Sequence, residues 1–158
     1  MKALYLLILL FIAACNGSDN QSKETLDAGN TTAKANITEV TVGGAKLNYT
    51  FNVTIQSDET GCEQYADWWE ILKEDGTLVY RRILGHSHPN DQPFTRSGGP
   101  AKVDQNEILY VRAHMNKLGY VGDVYKGSVE EGFVKDENVP TFPSELDVQE
   151  PLPDGCAF

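Results

Sequence analysis

From Leu47 to Gln56 apolar and polar residues alternate without interruption, with Leu47, Tyr49, Phe51, Val53 and Ile55 on one side and Asn48, Thr50, Asn52, Thr54 and Gln56 on the other. Successive side chains of a strand point to opposite faces, so this pattern predicts a strand with one face buried. Ile37 to Val42 predicts a shorter strand before it, with Gly43-Gly44 as the intervening turn. Tyr65 to Lys73 and Thr77 to Leu84 flank Glu74-Asp75-Gly76, the chemistry of a tight hairpin. A further strand is expected from Glu107 to Met115, and one or two more between Asp123 and Lys135. His86 to Pro100 (HSHPNDQPFTRSGGP) lacks either period and reads as a long polar loop. Antiparallel strands with short turns and no convincing long helix predict an all-β protein, an antiparallel β-sandwich.

The N-terminus follows different rules. Lys2 precedes an apolar run from Ala3 to Ala14 that ends in small residues before a cysteine, the layout of an export signal. At about twelve residues the run is too short to cross a bilayer core, which takes about twenty. Ile12-Ala13-Ala14-Cys15 resembles the lipobox of bacterial lipoproteins. That resemblance implies cleavage before Cys15, a diacylglyceryl group on its sulfur, and a chain held in the bacterial cell envelope by lipid. Asn16 in the next position lacks the aspartate that signals inner-membrane retention, so the expected address is the outer membrane. The alternative is an ordinary cleaved signal peptide.

Residues 1–14 are therefore read as signal peptide, 15–35 as a lipidated flexible tether, and 36–158 as the sandwich domain with a Pro-rich acidic tail over 136–158. The tether (NGSDNQSKETLDAGNTTAKA from Asn16) has almost no large apolar group with which to offset its ordering entropy. Asn-x-Ser/Thr triplets, among them those at Asn16, Asn30, Asn36, Asn48 and Asn52, would matter in a eukaryotic source. Because Asn48 and Asn52 fall inside a predicted strand, most read as products of a Thr-rich composition.

A formal charge of −10 argues against nucleic acid as a partner, since phosphate binding relies on Lys and Arg. The acidity is uneven. Residues 130–154 carry eight carboxylates against Lys135, whereas all four arginines, Arg81, Arg82, Arg96 and Arg112, lie mid-chain. With Cys15 assigned to lipid, Cys62 and Cys156 remain, and an oxidising envelope favours a disulfide between them that pins the tail. The alternative is two free buried thiols.

Tyr110-Val-Arg-Ala-His-Met-Asn116-Lys-Leu-Gly119-Tyr-Val-Gly122 resembles the sixth strand and following turn of fibronectin type III domains. The resemblance implies an immunoglobulin-like or fibronectin type III-like sandwich, with Trp68 or Trp69 as its core tryptophan.

All three histidines, His86, His88 and His114, fall in two short segments, and Met115 adjoins the last. Imidazole suits copper and zinc. A three-histidine metal site is one candidate, although period two puts His114 and Met115 on opposite faces of their strand. A second candidate is a ligand-binding patch of Arg82, Phe94, Arg96 and Arg112, arginine being the donor fork that fits carboxylate, sulfate or phosphate. Against both stand plainer roles, with His114 paired to a carboxylate and the arginines to Asp67, Glu70 or the acidic tail. No GxSxG elbow, P-loop or dinucleotide-binding glycine pattern is present, and the expectation is no enzyme. The function expected is a non-catalytic envelope module that presents Gly85–Pro100 to a small ligand, glycan or protein, with copper or zinc binding as the alternative.

Overall fold

The computed structural model describes residues 33–157. The signal, Cys15 and nearly all of the expected tether lie outside the described residues. Eight strands run β1 (Ala35–Ala45), β2 (Asn48–Ser57), β3 (Ala66–Lys73), β4 (Leu78–Ile83), β5 (Phe94–Ala101), β6 (Leu109–Met115), β7 (Tyr125–Ser128) and β8 (Gly132–Lys135). They form two antiparallel sheets, one ordered β1-β2-β5 and the other β4-β3-β6-β7-β8. The chain changes sheet after β2, after β4 and again after β5, which makes the all-β antiparallel sandwich that the periodicity predicts.

The core is built by the inward half of each alternation. Tyr49, Phe51, Val53 and Ile55 of β2 meet Trp69 and Ile71 of β3 and Leu109, Val111, Ala113 and Met115 of β6. Trp69, not Trp68, is the core tryptophan. Burying such a set stabilises the fold by about 25 cal/mol for each Å² of apolar surface removed from water.

Two expectations are corrected by the structure. Gly43 and Gly44 do not turn the chain. They stay in β1 opposite Thr50 and Tyr49, and the turn falls at Lys46-Leu47, with Leu47 at φ 62 and half exposed. Leu47 is thus the one member of the alternating set that leaves the strand. The segment from His86 to Pro100 is not a loop throughout, because Phe94–Ala101 pairs with β2 as the third strand of its sheet. Its glycines serve packing. A Cβ at Gly98 would lie 2.6 Å from the Tyr80 ring and 2.8 Å from the Trp69 ring, so only glycine fits there. Pro100 is accommodated because β5 is the last strand of its sheet.

The C-terminal tail does not trail into solvent. A short 3-10 helix at Ser144–Val148 puts Leu146 against Leu72 and Tyr110 on the outer face of the five-stranded sheet, with Phe142 beside them. The Cys62–Cys156 disulfide is formed, with its Cα atoms 5.5 Å apart, and the Ala157 N–H donates to Gly85 O at 2.7 Å.

Candidate functional site

On the outer face of the five-stranded sheet, register decides which charges meet. Glu70 of β3 stands opposite Arg81 of β4 on one side and Arg112 of β6 on the other. All three side chains point away from the core, under the tail. Glu70 Oε2 accepts from Arg81 Nε at 2.8 Å and Nη2 at 2.5 Å, and Oε1 accepts from Arg112 Nε at 2.8 Å. The Glu70 and Arg81 side chains have no exposed surface, so this is a buried three-membered ion pair.

Arg81 also reaches past Glu70 into the tail. It donates to Leu146 O at 2.7 Å, Gln149 O at 2.5 Å and Pro151 O at 3.2 Å. One planar guanidinium thus neutralises a buried carboxylate and satisfies three carbonyls of a segment with no sheet partner, a task suited to arginine's fixed fork of donors.

An aromatic layer continues the network. Tyr120 lies under the Arg112 guanidinium, 3.3 Å from its carbon, and its hydroxyl accepts from Trp68 Nε1 and Arg81 Nη2, each at 3.3 Å. Burial, and then the charge of Glu70, hold the Tyr120 hydroxyl well above the ordinary phenol range, so it stays protonated at any physiological pH. The His114 ring stacks on Trp68 at 3.6 Å, and its Nδ1 is 2.7 Å from Asp67 Oδ1. As expected, His114 shares a face with Tyr110 and Arg112, and Met115 points into the core. That outer face is covered: His114 and Arg112 are both buried.

A second buried carboxylate organises the opposite turns. Glu59 Oε1 accepts from Ser57 Oγ at 2.6 Å and Ala66 N–H at 3.2 Å, while Oε2 accepts the backbone N–H of His88. Gln92 closes the arrangement, accepting from Ser57 N–H at 2.9 Å and donating to His88 O at 3.1 Å. The His88 ring stacks on Phe94 at 3.9 Å, with the His86 ring 4.5 Å away and Glu59 Oε2 3.8 Å from its Nδ1. Neither of its ring nitrogens has a hydrogen-bond partner among the described residues.

Burial lowers the proton affinity of His88 below the usual imidazole range, and the charge of Arg96 adds to this, while Glu59 and Asp91 oppose it. The unfolded chain therefore takes up a proton at about pH 6.5 before the folded chain does, and stability falls as the pH drops through that value. Urea unfolding at about pH 7.5 and about pH 5.5 should show lower stability at the acid end, and His88→Phe should remove part of that difference. An unchanged slope in the variant would place the acid sensitivity elsewhere.

The sequence candidates are thus divided by the fold. His86 and His88 come together on one loop, whereas His114 is engaged with Asp67, Trp68 and Tyr120. Among the described residues no group of three or more His, Cys, Asp or Glu is arranged to hold a metal ion. Of the four residues expected to bind a ligand, Phe94 is in the core and Arg112 in the buried ion pair. Arg82 is exposed and Arg96 half-buried over Phe94. Of the two carboxylates that organise everything else, Glu70 is a partner that the sequence offered for the arginines, and Glu59 was not singled out. The signal for Glu70 is a lone Glu inside the apolar run of β3, with an arginine near the middle of each neighbouring strand.

A groove of about 430 Å³ opens between the edges of the two sheets, lined by Thr38 to Thr41 of β1, by Tyr125, and by Phe133 to Lys135 of β8. β1 is the last strand of its sheet. Its first residues are covered, since Ala35 and Ile37 donate to Val121 O and Asp123 O, and Thr38 O accepts from the Tyr125 hydroxyl. From Glu39 to Ala45 its outer edge has no backbone partner among the described residues.

Fold and site define a two-sheet antiparallel β-sandwich whose polar outer face is closed by its own disulfide-pinned tail. The chain is 32% identical over 117 residues to a protein of the archaeon Halomicrobium mukohataei named "Putative lipoprotein". The match covers 72% of this chain and 57% of the relative, so the chain spans little more than half of that protein's length. No family model matches the chain, and no solved structure matches it.

Proposed function

We propose that this chain is a lipid-anchored, non-catalytic recognition module at the cell surface, held through Cys15, which binds an extended segment of a partner protein along the open edge of β1. The unpaired stretch from Glu39 to Ala45, beside the groove under Val134, carries this reading. An exposed strand edge offers a row of backbone donors and acceptors that another strand can satisfy, with adjacent pockets taking alternate side chains. Glu39 and Lys135 at the groove would set the register of charges on the incoming strand.

The anchor is supported by the lipobox resemblance and by the name of the Halomicrobium protein. That relative is archaeal and lends no weight to an outer membrane, so the location proposed is the cell surface. The absence of catalysis is supported by where the charged groups go: Glu70, Arg81, Arg112, Asp67 and His114 are consumed in pairing beneath the tail. Copper or zinc binding by three histidines finds two imidazoles together and the third engaged with Asp67.

A library of synthetic peptides bound to the purified protein tests the docking edge. Binders should be extended, should shift the amide resonances of Glu39 to Ala45, and should weaken at least about tenfold with Val134→Asp, a substitution at an exposed position. Resonance shifts confined to other strands, or binding indifferent to Val134→Asp, would overturn it.

A further inference from the structure

The sequence shows three Asn-x-Ser/Thr triplets within the described residues, and the structure separates them. Asn36 is half-buried, and its Oδ1 accepts the Asp123 N–H at 3.0 Å. Asn52 is half-buried in mid-strand, with Oδ1 accepting from Ser97 Oγ at 2.6 Å and Nδ2 donating to Thr41 Oγ1 at 3.3 Å. Both carboxamides are held by the fold.

Asn48 is different. It is exposed at the first position of β2, next to the Lys46-Leu47 turn, and its side chain makes no hydrogen bond among the described residues. Thr50, the hydroxyl residue of the triplet, is exposed on the same face, while the intervening Tyr49 points into the core. Across the hairpin these two residues face Ala45 and Gly43, and a Cβ at Gly43 would meet nothing within 4 Å. The face around Asn48 therefore has room for a bulky group and loses no hydrogen bond when it is attached.

We infer that Asn48 is an N-glycosylation site, the acceptor for an oligosaccharide added as the chain is exported. The triplet is read by transferases that act on extracytoplasmic chains, so a folded acceptor is expected at an exposed position. The donor is an oligosaccharide on a lipid phosphate. Asn48 Nδ2 forms a bond to the anomeric carbon, the bond from that carbon to the phosphate oxygen breaks, and the amide proton leaves with the lipid phosphate. Such transfer requires a lineage with an oligosaccharyl transferase, not a eukaryote as such. It also rests on export, the step that lipidation of Cys15 requires.

Mass spectrometry of the full-length protein isolated from the membranes of its own source organism tests this, with both the Cys15 and the Asn48 peptides read in one digest. The expected result is a lipidated Cys15 peptide and a sugar-bearing Asn48 peptide. The sugar should be absent from Asn48→Gln and Thr50→Val, and present in Thr50→Ser, which keeps the hydroxyl. A lipidated Cys15 with bare Asn48 would overturn the glycosylation site and leave the anchor standing. An unprocessed N-terminus with bare Asn48 would overturn both, and sugar that persists in Thr50→Val would overturn the reading of the triplet.

Discussion

Glu70→Gln should destabilise the protein by about 3–5 kcal/mol, because the substitution leaves two buried guanidinium groups without a counter-charge. A carboxamide can still accept at Oε1, but its NH₂ would face a second set of donors, either from Arg81 or from Arg112. For a chain of this size the loss corresponds to a fall in melting temperature of roughly 10 °C or more. A buried ion pair can in general be exchanged for apolar side chains at little cost. Here that exchange is blocked on one side. Removing Arg81 would also take away the side-chain donor of Gln149 O and Pro151 O and the shorter of the two hydrogen bonds at the buried Leu146 O, so the tail would lose its polar tie to the sheet. Calorimetry of Glu70→Gln against Lys73→Gln, a half-exposed residue paired at the surface with Glu107, checks the claim. Surface pairs contribute about 0–1 kcal/mol, so the two variants should differ several-fold.

Opening the disulfide should have a comparable effect through a different route. The bond spans 94 residues, and the chain-entropy account credits a loop of about that length with about 4.7 kcal/mol, with measured losses of about 2–5 kcal/mol for removal of a native bond. Cys62→Ser with Cys156→Ser should therefore lower the melting temperature by an amount comparable to that of Glu70→Gln. The tail should remain docked in either variant alone, held by Arg81 in one and by sulfur in the other. Combining them should release it, making residues 136–157 a site of rapid proteolysis, and the combined loss should depart from the sum of the two. Equal protease resistance in all variants would show that the tail is fixed by something other than these two ties.

How much of this was legible depends on whether one strand carried its own pattern. β2 announces itself because Tyr49 to Ile55 alternate strictly, and Met115 and His114 could be placed on opposite faces by counting alone. β5 could not be read, since Phe-Thr-Arg-Ser-Gly-Gly-Pro-Ala has neither alternation nor propensity. It is a strand because the core needs a residue without a side chain against Trp69 and Tyr80, which is a property of the partner sheet. The three-histidine and arginine clusters were legible as coincidences of residue type. What separated them was register: Glu70 meets Arg81 and Arg112 only when β3, β4 and β6 are aligned, and no single segment encodes that alignment. The sulfur tie of the tail was legible from the cysteines, whereas its tie to Arg81 was not, because the groups that Arg81 meets there are backbone carbonyls, invisible to composition.

The arginines belong to two populations, Arg81 and Arg112 sealed beneath the tail and Arg82 and Arg96 outside it. Modification of the folded, oxidised protein with a dicarbonyl reagent, followed by peptide mapping, measures this directly. Arg82 should react first and Arg96 more slowly, while Arg81 and Arg112 remain unmodified until the chain unfolds. Reaction of Arg81 or Arg112 at the rate of Arg82 would mean that the outer face is open and that the arginines form a recognition surface after all.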